Sequence, residues 1–351
     1  MKNNQNLFEQ KSKNTLVRFF LSSLFTISFF YITPIFINFA DKNFYTKEFT
    51  NNSKKILTYT LNSNEEKIDK NSSINEKDIL IDIVSLNNIE SDSVYLNAAT
   101  ITKLFKETNY NLNDVRANKL VKPVALTLLP NELKKIENTK KRKEFFIQII
   151  LPLIIVENNI IKKDRRILFN IINKSNNTIS EINWLEKKYK QYGVKTKDLS
   201  TLKIRMDVIP VSLTIAQAAK ETGWGTSRFA QEGNALFGQW TWSGEGLKPK
   251  DAEKGKDHKV MKFNILQASV RAYQRNLNTH STYKAFRKAR AEFRDSNKSL
   301  DSMELSKYLN KYAETGNQYV EVLQKIIEQN KLQDFDDAKL MPSSVDLESL
   351  I

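Results

Sequence analysis

Residues 214 to 225 read T-I-A-Q-A-A-K-E-T-G-W-G, which puts one carboxylate, Glu221, in the last turn of a helix that is otherwise mostly small and apolar. A helix C-terminus carries partial negative charge, so a carboxyl group placed there holds its proton more tightly, the more so if the ring of Trp224 keeps water away. A carboxyl group that stays protonated near neutral pH can act as a general acid. Gly223 supplies the helix stop. A surface glutamate ahead of a glycine cap would give the same local pattern, and the residues beyond Gly225 weigh against it.

The next segment, S-R-F-A-Q-E-G-N-A-L-F-G-Q-W-T-W over 227–242, is rich in aromatics and glycines for a chain with 9 Gly and 4 Trp in 351 residues. Trp224, Trp240 and Trp242 are three of those four tryptophans. Flat indole faces in a cleft suit the apolar faces of sugar rings. Asn234, Phe237 and Gly238 belong to N-A-L-F-G, where glycine permits close backbone approach and asparagine either bonds a sugar or holds the loop. Glu232 is read as a loop charge beside Gly233.

The run Q-A-A-K-E-T-G-W-G, then S-R-F-A, then G-N-A-L-F-G-Q-W-T-W, then V-R-A-Y-Q-R-N-L-N-T-H-S-T-Y-K-A-F-R resembles the Bax-like proteins of bacteria. These are a branch of the glucosaminidase family related to glycoside hydrolase family 73 and to the flagellar muramidase domain. The likeness covers about residues 120 to 330. It implies a lysozyme-like fold, cleavage of N-acetylglucosaminyl bonds in peptidoglycan glycan strands, Glu221 as catalytic acid, and no metal or organic cofactor.

Most glycosidases use two carboxyl groups, about 5–5.5 Å apart for retention or 6.5–9.5 Å for inversion. The resemblance implies that the second lies on a hairpin lobe, where Glu245, Asp251, Glu253 and Asp257 are available and no spacing singles one out. A substrate-assisted route, with the N-acetyl group as nucleophile, needs only Glu221 and a polarising partner. The segment K-Y-A-E-T-G-N-Q-Y-V resembles the family's tyrosine-bearing segment and gives that role to Tyr312, with Glu314 two residues on as a replacement. A lytic transglycosylase, which also relies on one glutamate, and a non-catalytic wall-binding scaffold are the alternatives.

The elements that must position these residues read as mostly α (α+β): a lysozyme-like helical domain over 201–330 with a small β-hairpin lobe, behind a helical extension over 76–200. Pro210 and Ser212 start the helix bearing Glu221, with Ser212 as N-cap. The apolar stretch 144–159 is expected to kink at Pro152, and its unbroken run is too short to span a bilayer. A separate charged helix comes next over 164–172. D-I-L-I-D-I-V-S-L is either a short strand or a helix start, and 124–129, between two prolines, reads as extended. H-K-V-M-K-F alternates beside turn-rich sequence and forms the lobe. Leu266, Val270, Tyr273 and Leu277 make an amphipathic stripe, and further helices are expected near 283–293, 303–312 and 318–329. The acidic tail over 331–351 is expected to be disordered.

Residues 19–40 contain no charge and come after Lys11, Lys13 and Arg18. A helix of that length spans roughly 33 Å, enough for a bilayer core, so the first 18 residues are expected in the cytoplasm and the catalytic part outside the cytoplasmic membrane. The length favours an uncleaved anchor over a cleaved signal, whose apolar region is shorter and whose cleavage site only Asn38 and Ala40 approximate. Residues 41–75 read as a flexible polar tether. Lys plus Arg number 55 against 40 Asp plus Glu, a formal charge of +15, which favours an anionic partner. No nucleic-acid signature, no nucleotide loop and no serine-hydrolase elbow occurs. Zero cysteines exclude disulfides and thiolate metal sites, and two histidines, His258 and His280, are too few for a histidine metal cluster.

Overall fold

Residues 76–87, 96–241, 246–247 and 259–342 are described by the structure, a computed structural model; the expected cytoplasmic segment, membrane anchor and tether lie outside them. Within the described residues the D-I-L-I-D-I-V-S-L stretch is helical, forming α1 (Glu76–Asn87). Asp82 on its inner face decides this: it takes Arg275 at 3.0 Å and the Gln191 amide at 2.7 Å. α2 (Ala98–Glu107) and α3 (Leu112–Asn118) begin on Asn97 and Asn111, whose side chains accept the backbone N–H of Thr100 and Asp114. Strand β1 (Leu120–Val121) is next, and 124–129 holds no regular element.

α4 (Thr139–Ile172) runs unbroken through Pro152, so the expected division into an apolar helix and a separate charged one is corrected. Proline has no N–H to offer the Gln148 carbonyl four residues back. Tyr110 fills that gap: its hydroxyl donates to the Gln148 carbonyl at 3.1 Å, and the Gln148 amide donates to the Tyr110 carbonyl at 2.8 Å. Among the described residues α4 is the one helix long and apolar enough to cross a membrane, yet 72% of its most apolar window is buried by the protein. It is a core helix. Its C-terminal half packs with α5 (Ile179–Gln191) and α6 (Leu199–Arg205) around Leu168, Ile171, Leu202 and Met206.

Between α6 and the next helix lies Asp207, 2% exposed, ringed by arginines. Arg294 donates twice at 3.1 Å, Arg165 stands at 3.6 Å and Arg290 at 3.9 Å. Burial alone would raise this carboxyl, and the three guanidinium groups overcome it, holding Asp207 far below the usual carboxylate range.

α7 (Val211–Thr222) is buried continuously from Val211 to Ala219, as an interior helix must be, and its alanines at 216, 218 and 219 let neighbours approach closely. Its N-cap position is Pro210, not Ser212 as expected. Ser212 is itself capped: Asp336, from the C-terminal segment, accepts its backbone N–H at 2.8 Å and bonds its hydroxyl at 2.7 Å.

α8 (Arg228–Gly233) leads to strands β2 (Trp240–Thr241), β3 (Gly246–Leu247) and β4 (Lys259–Met261), an antiparallel sheet in the order β2-β4-β3. This is the small β lobe. α9 (Leu266–Thr279) buries its whole stripe of Leu266, Val270, Tyr273 and Leu277. α10 (Lys284–Asp295) and α11 (Ser302–Ser306) come next, the latter passing into a 3-10 turn at 307–309 in place of the single helix expected to 312, and α12 (Asn317–Gln329) completes the set.

The tail expected to be disordered from 331 is ordered through 342. Leu332 and Phe335 are fully buried, Arg116 lies over the Phe335 ring at 4.7 Å, and β5 (Lys339–Leu340) pairs in parallel with β1. Composition suggests a solvated acidic run, but two apolar anchors and a strand partner 219 positions earlier hold it.

Candidate active site

Glu221 is the penultimate residue of α7, the point at which an otherwise buried helix becomes half-exposed. The helix end is fixed by local bonds. Gly223 takes the left-handed conformation, φ 58°, Trp224 donates its N–H to the Ala219 carbonyl at 3.0 Å, and Thr222 accepts the Gly225 N–H at 2.8 Å. Gly225 is held in place from outside as well, since a Cβ there would meet the Phe146 ring at 2.8 Å.

One carboxylate oxygen of Glu221, Oε1, accepts the hydroxyl of Tyr319 at 2.9 Å. The other, Oε2, faces Gly238, whose φ is +61° and where a Cβ would stand 3.3 Å from that oxygen. A side chain at 238 would be strained in backbone and pressed on the acid. Burial raises the Glu221 carboxyl above its ordinary range, opposed by the Tyr319 bond and by Lys220. The direction agrees with the acid reading, while the first cause is burial in the domain and not the helix end.

Sequence reasoning alone does not single out Tyr319. Tyr312, which it does, gives its hydroxyl to the Phe237 carbonyl at 2.8 Å and stacks on Tyr319 with ring centres 5.5 Å apart. A signal for Tyr319 exists in the chain: it falls on the buried stripe of α12 with Leu323 and Ile327, where a hydroxyl needs a partner. Behind Tyr319, Gln217 donates to its oxygen at 3.0 Å and accepts the Tyr273 hydroxyl at 2.6 Å. Phe237 stacks on Tyr273 at 4.0 Å, and Tyr283 stands 6.0 Å from Tyr312. Burial pushes Tyr283 up to about 12 and Tyr273 and Tyr319 higher still, and raises Tyr312 well above its ordinary value, so this wall of phenols is neutral.

The other expected residues are dispersed around this wall or lie beyond it. Trp224 sets its ring edge-on against Phe146 of α4 at 6.0 Å, under Lys143. Asn234 is 7% exposed and donates to the carbonyls of Phe263 and Asn264, which ties the loop to the segment after β4. Trp240 begins β2. Trp242, Glu245, Asp251, Glu253, Asp257 and His258 lie outside the described residues. Glu232 pairs with Arg228 at 3.3 Å, and Glu314 is exposed. His280 accepts the Thr282 N–H as a cap. Among the described residues the groups bearing on Glu221 are phenols and Lys220, not a second carboxylate.

Residues 196–332 match the model of the Glucosaminidase family, described as mannosyl-glycoprotein endo-beta-N-acetylglucosaminidase. The chain is 31% identical over 206 residues to Protein bax of Escherichia coli strain K12, an alignment that covers 57% of this chain and 74% of that protein. Among solved structures, the catalytic domain of the autolysin Auto from Listeria monocytogenes is similar over 50% of this chain and 97% of that one, at 18% identity and a TM-score of 0.30.

Proposed function

The chain belongs to the Bax family of glucosaminidase-domain proteins, and from that premise we propose that it is a peptidoglycan hydrolase in which Glu221 protonates the leaving oxygen of an N-acetylglucosaminyl bond. The observation that carries this reading is the carboxyl itself: half-buried at a rigid helix end, raised by burial, bonded on one oxygen and facing a glycine on the other. Bond cleavage needs a proton delivered as the glycosidic oxygen departs, and a carboxyl with raised affinity for its proton delivers it near neutral pH. The surplus of 55 basic over 40 acidic residues suits an anionic wall polymer. A lysozyme-like arrangement of these helices belongs to the same proposal.

Two routes complete the reaction. In one, a carboxylate of the β lobe, Glu245, Asp251, Glu253 or Asp257, activates water or attacks the sugar. In the other, the substrate's acetamido oxygen attacks, and the tyrosine wall orients it. Tyr312 keeps lone pairs for that task while its proton is held by the Phe237 carbonyl.

Digestion of purified peptidoglycan, with mass spectrometry of the products, tests the activity. Reducing N-acetylglucosamine ends support the proposal. Anhydro-muramic ends show a lytic transglycosylase, and binding without new ends shows a wall-binding scaffold; either result overturns it. We also propose that residues 19–40 anchor the protein in the cytoplasmic membrane with the catalytic domain outside, on the strength of their uncharged length and preceding basic residues. Resistance to carbonate extraction is the expected result, and a soluble product starting near Asp41 would show a cleaved signal instead.

A further inference from the structure

We propose that Tyr273 and Gln217 are positioning residues which, acting through Tyr319, fix the acid proton of Glu221 on Oε2, the oxygen facing Gly238. The inference deepens the reading of Glu221 as general acid and rests on it. It starts from the polarity of one buried chain of hydrogen bonds. The Tyr273 hydroxyl donates to Gln217 Oε1 at 2.6 Å, Gln217 Nε2 donates to Tyr319 Oη at 3.0 Å, and Tyr319 Oη donates to Glu221 Oε1 at 2.9 Å.

Each donor in this chain sets the next. A carboxamide has one acceptor oxygen and one donor nitrogen, so the proton from Tyr273 holds the Gln217 oxygen toward α9 and its NH2 toward Tyr319. Receiving that N–H, Tyr319 has one proton left, and it goes to Glu221 Oε1. Tyr273 and Gln217 are fully buried and Tyr319 is 2% exposed, so no solvent competes for the two bonds behind the Tyr319 hydroxyl. Burial also keeps the Tyr273 and Tyr319 phenols protonated across the working range, so the polarity cannot invert by ionisation.

An oxygen already receiving a hydroxyl proton is the poorer place for the carboxyl's own. The proton therefore resides on Oε2. Gly238 adds no side chain of its own beside that oxygen, and on this proposal the glycosidic oxygen arrives there. On this account α7 has a polar residue in the middle of an apolar stretch, Ile215-Ala216-Gln217-Ala218-Ala219, because the acid four residues on needs an oriented partner.

The titratable groups coupled to Glu221 among the described residues are Lys220 on its own helix, Tyr273 on α9, Tyr283 in the turn before α10, Tyr312 in the segment between the 307–309 turn and α12, and Tyr319 on α12. A donor to the carboxylate favours its charged form, so weakening the chain raises the Glu221 pKa. The test is a carbon-13 NMR titration of the full-length protein labelled in glutamate carboxyls, with Glu221→Gln to assign the resonance, alongside the pH profile of peptidoglycan solubilisation. Tyr319→Phe is expected to raise the Glu221 titration by about one pH unit, the scale of one hydrogen bond to a charged group. Tyr273→Phe, which never touches Glu221, is expected to move it in the same direction by about half a unit, with the alkaline limb of the profile shifting alongside. Tyr110→Phe, which deletes a buried hydroxyl elsewhere, is the control for general destabilisation and should leave the titration in place.

A folded Tyr273→Phe whose Glu221 titration coincides with wild type overturns the proposal. If Tyr273→Phe does not fold, Gln217→Met takes its place, with the same upward shift required and the same coincidence fatal. Retained hydrolysis in Glu221→Gln would sink the acid assignment separately, since the titration shifts are read without turnover.

Discussion

Asp207 and Glu221 are carboxylates fourteen positions apart, one in the segment that leads into α7 and the other in its last turn, and the fold treats them oppositely. Asp207 is 2% exposed and meets Arg165, Arg290 and Arg294, so its charge is matched and its proton affinity collapses. Glu221 is half-buried among neutral phenols with one hydroxyl donor and the exposed Lys220, so its affinity rises. Burial raises both. The number of cations brought within reach decides whether a buried carboxylate becomes a structural ion or an acid.

The comparison breaks most visibly if the two are neutralised in turn. Glu221→Gln should lower the rate of peptidoglycan solubilisation by about 10² to 10⁴. Because its folded pKa is raised, the ionised form of Glu221 weighs against folding as pH climbs through that pKa, so this variant should melt no lower than wild type at neutral pH. A loss of rate under about threefold, or a fall in melting temperature, would put Glu221 in the structural class.

Asp207→Asn should do the reverse. Removing the anion leaves Arg165, Arg290 and Arg294 facing one another in the interior, a cost of about 3 to 5 kcal/mol in stability. Activity per folded molecule should stay near wild type at low temperature. Denaturant unfolding with a parallel assay separates the two quantities.

Asp336 sharpens the comparison with an intermediate case. It caps α7 at the end opposite Glu221, and burial pushes its carboxyl from 3.8 up to about 6, against the two bonds from Ser212. A folded pKa above the unfolded one means the stabilisation is full below about pH 3.8 and is lost as pH rises through about 6. Partly open to solvent, the group should contribute on the order of 2 kcal/mol to that loss. Asp336→Asn is expected to flatten this part of the stability profile, and an unchanged profile between about pH 4 and 7 would contradict it.

The smallest effect separates the two tyrosines of one segment. Tyr312→Phe loses the bond to the Phe237 carbonyl and should cost about 1 kcal/mol of stability. If the substrate-assisted route operates, it also slows turnover, more than any single neutralisation of Glu245, Asp251, Glu253 or Asp257. If one of those four slows turnover comparably to Glu221→Gln, the lobe supplies the second group.

What is legible in the sequence is local. Glu221 at a helix end, Gly223 as the stop, the β strand of H-K-V-M-K-F and the stripe of α9 all come from neighbours within a turn or an alternation, and the structure has each element. The start of α7 differs from its local pattern because its cap comes from Asp336, 124 positions away from Ser212. Pro152 does not break α4 because the hydroxyl that replaces its missing bond sits on Tyr110.

The sequence by itself determined that a carboxyl would stand at the mouth of an apolar helix, because helix periodicity and a glycine stop are properties of the chain in one dimension. Tertiary structure alone decided which tyrosine touches it, that no arginine does among the described residues, and that Asp207, fourteen positions earlier, is surrounded by three. Those facts depend on side chains brought together across tens to about a hundred positions, and the balance between burial and compensating charge that sets a carboxyl's chemistry exists only once they meet.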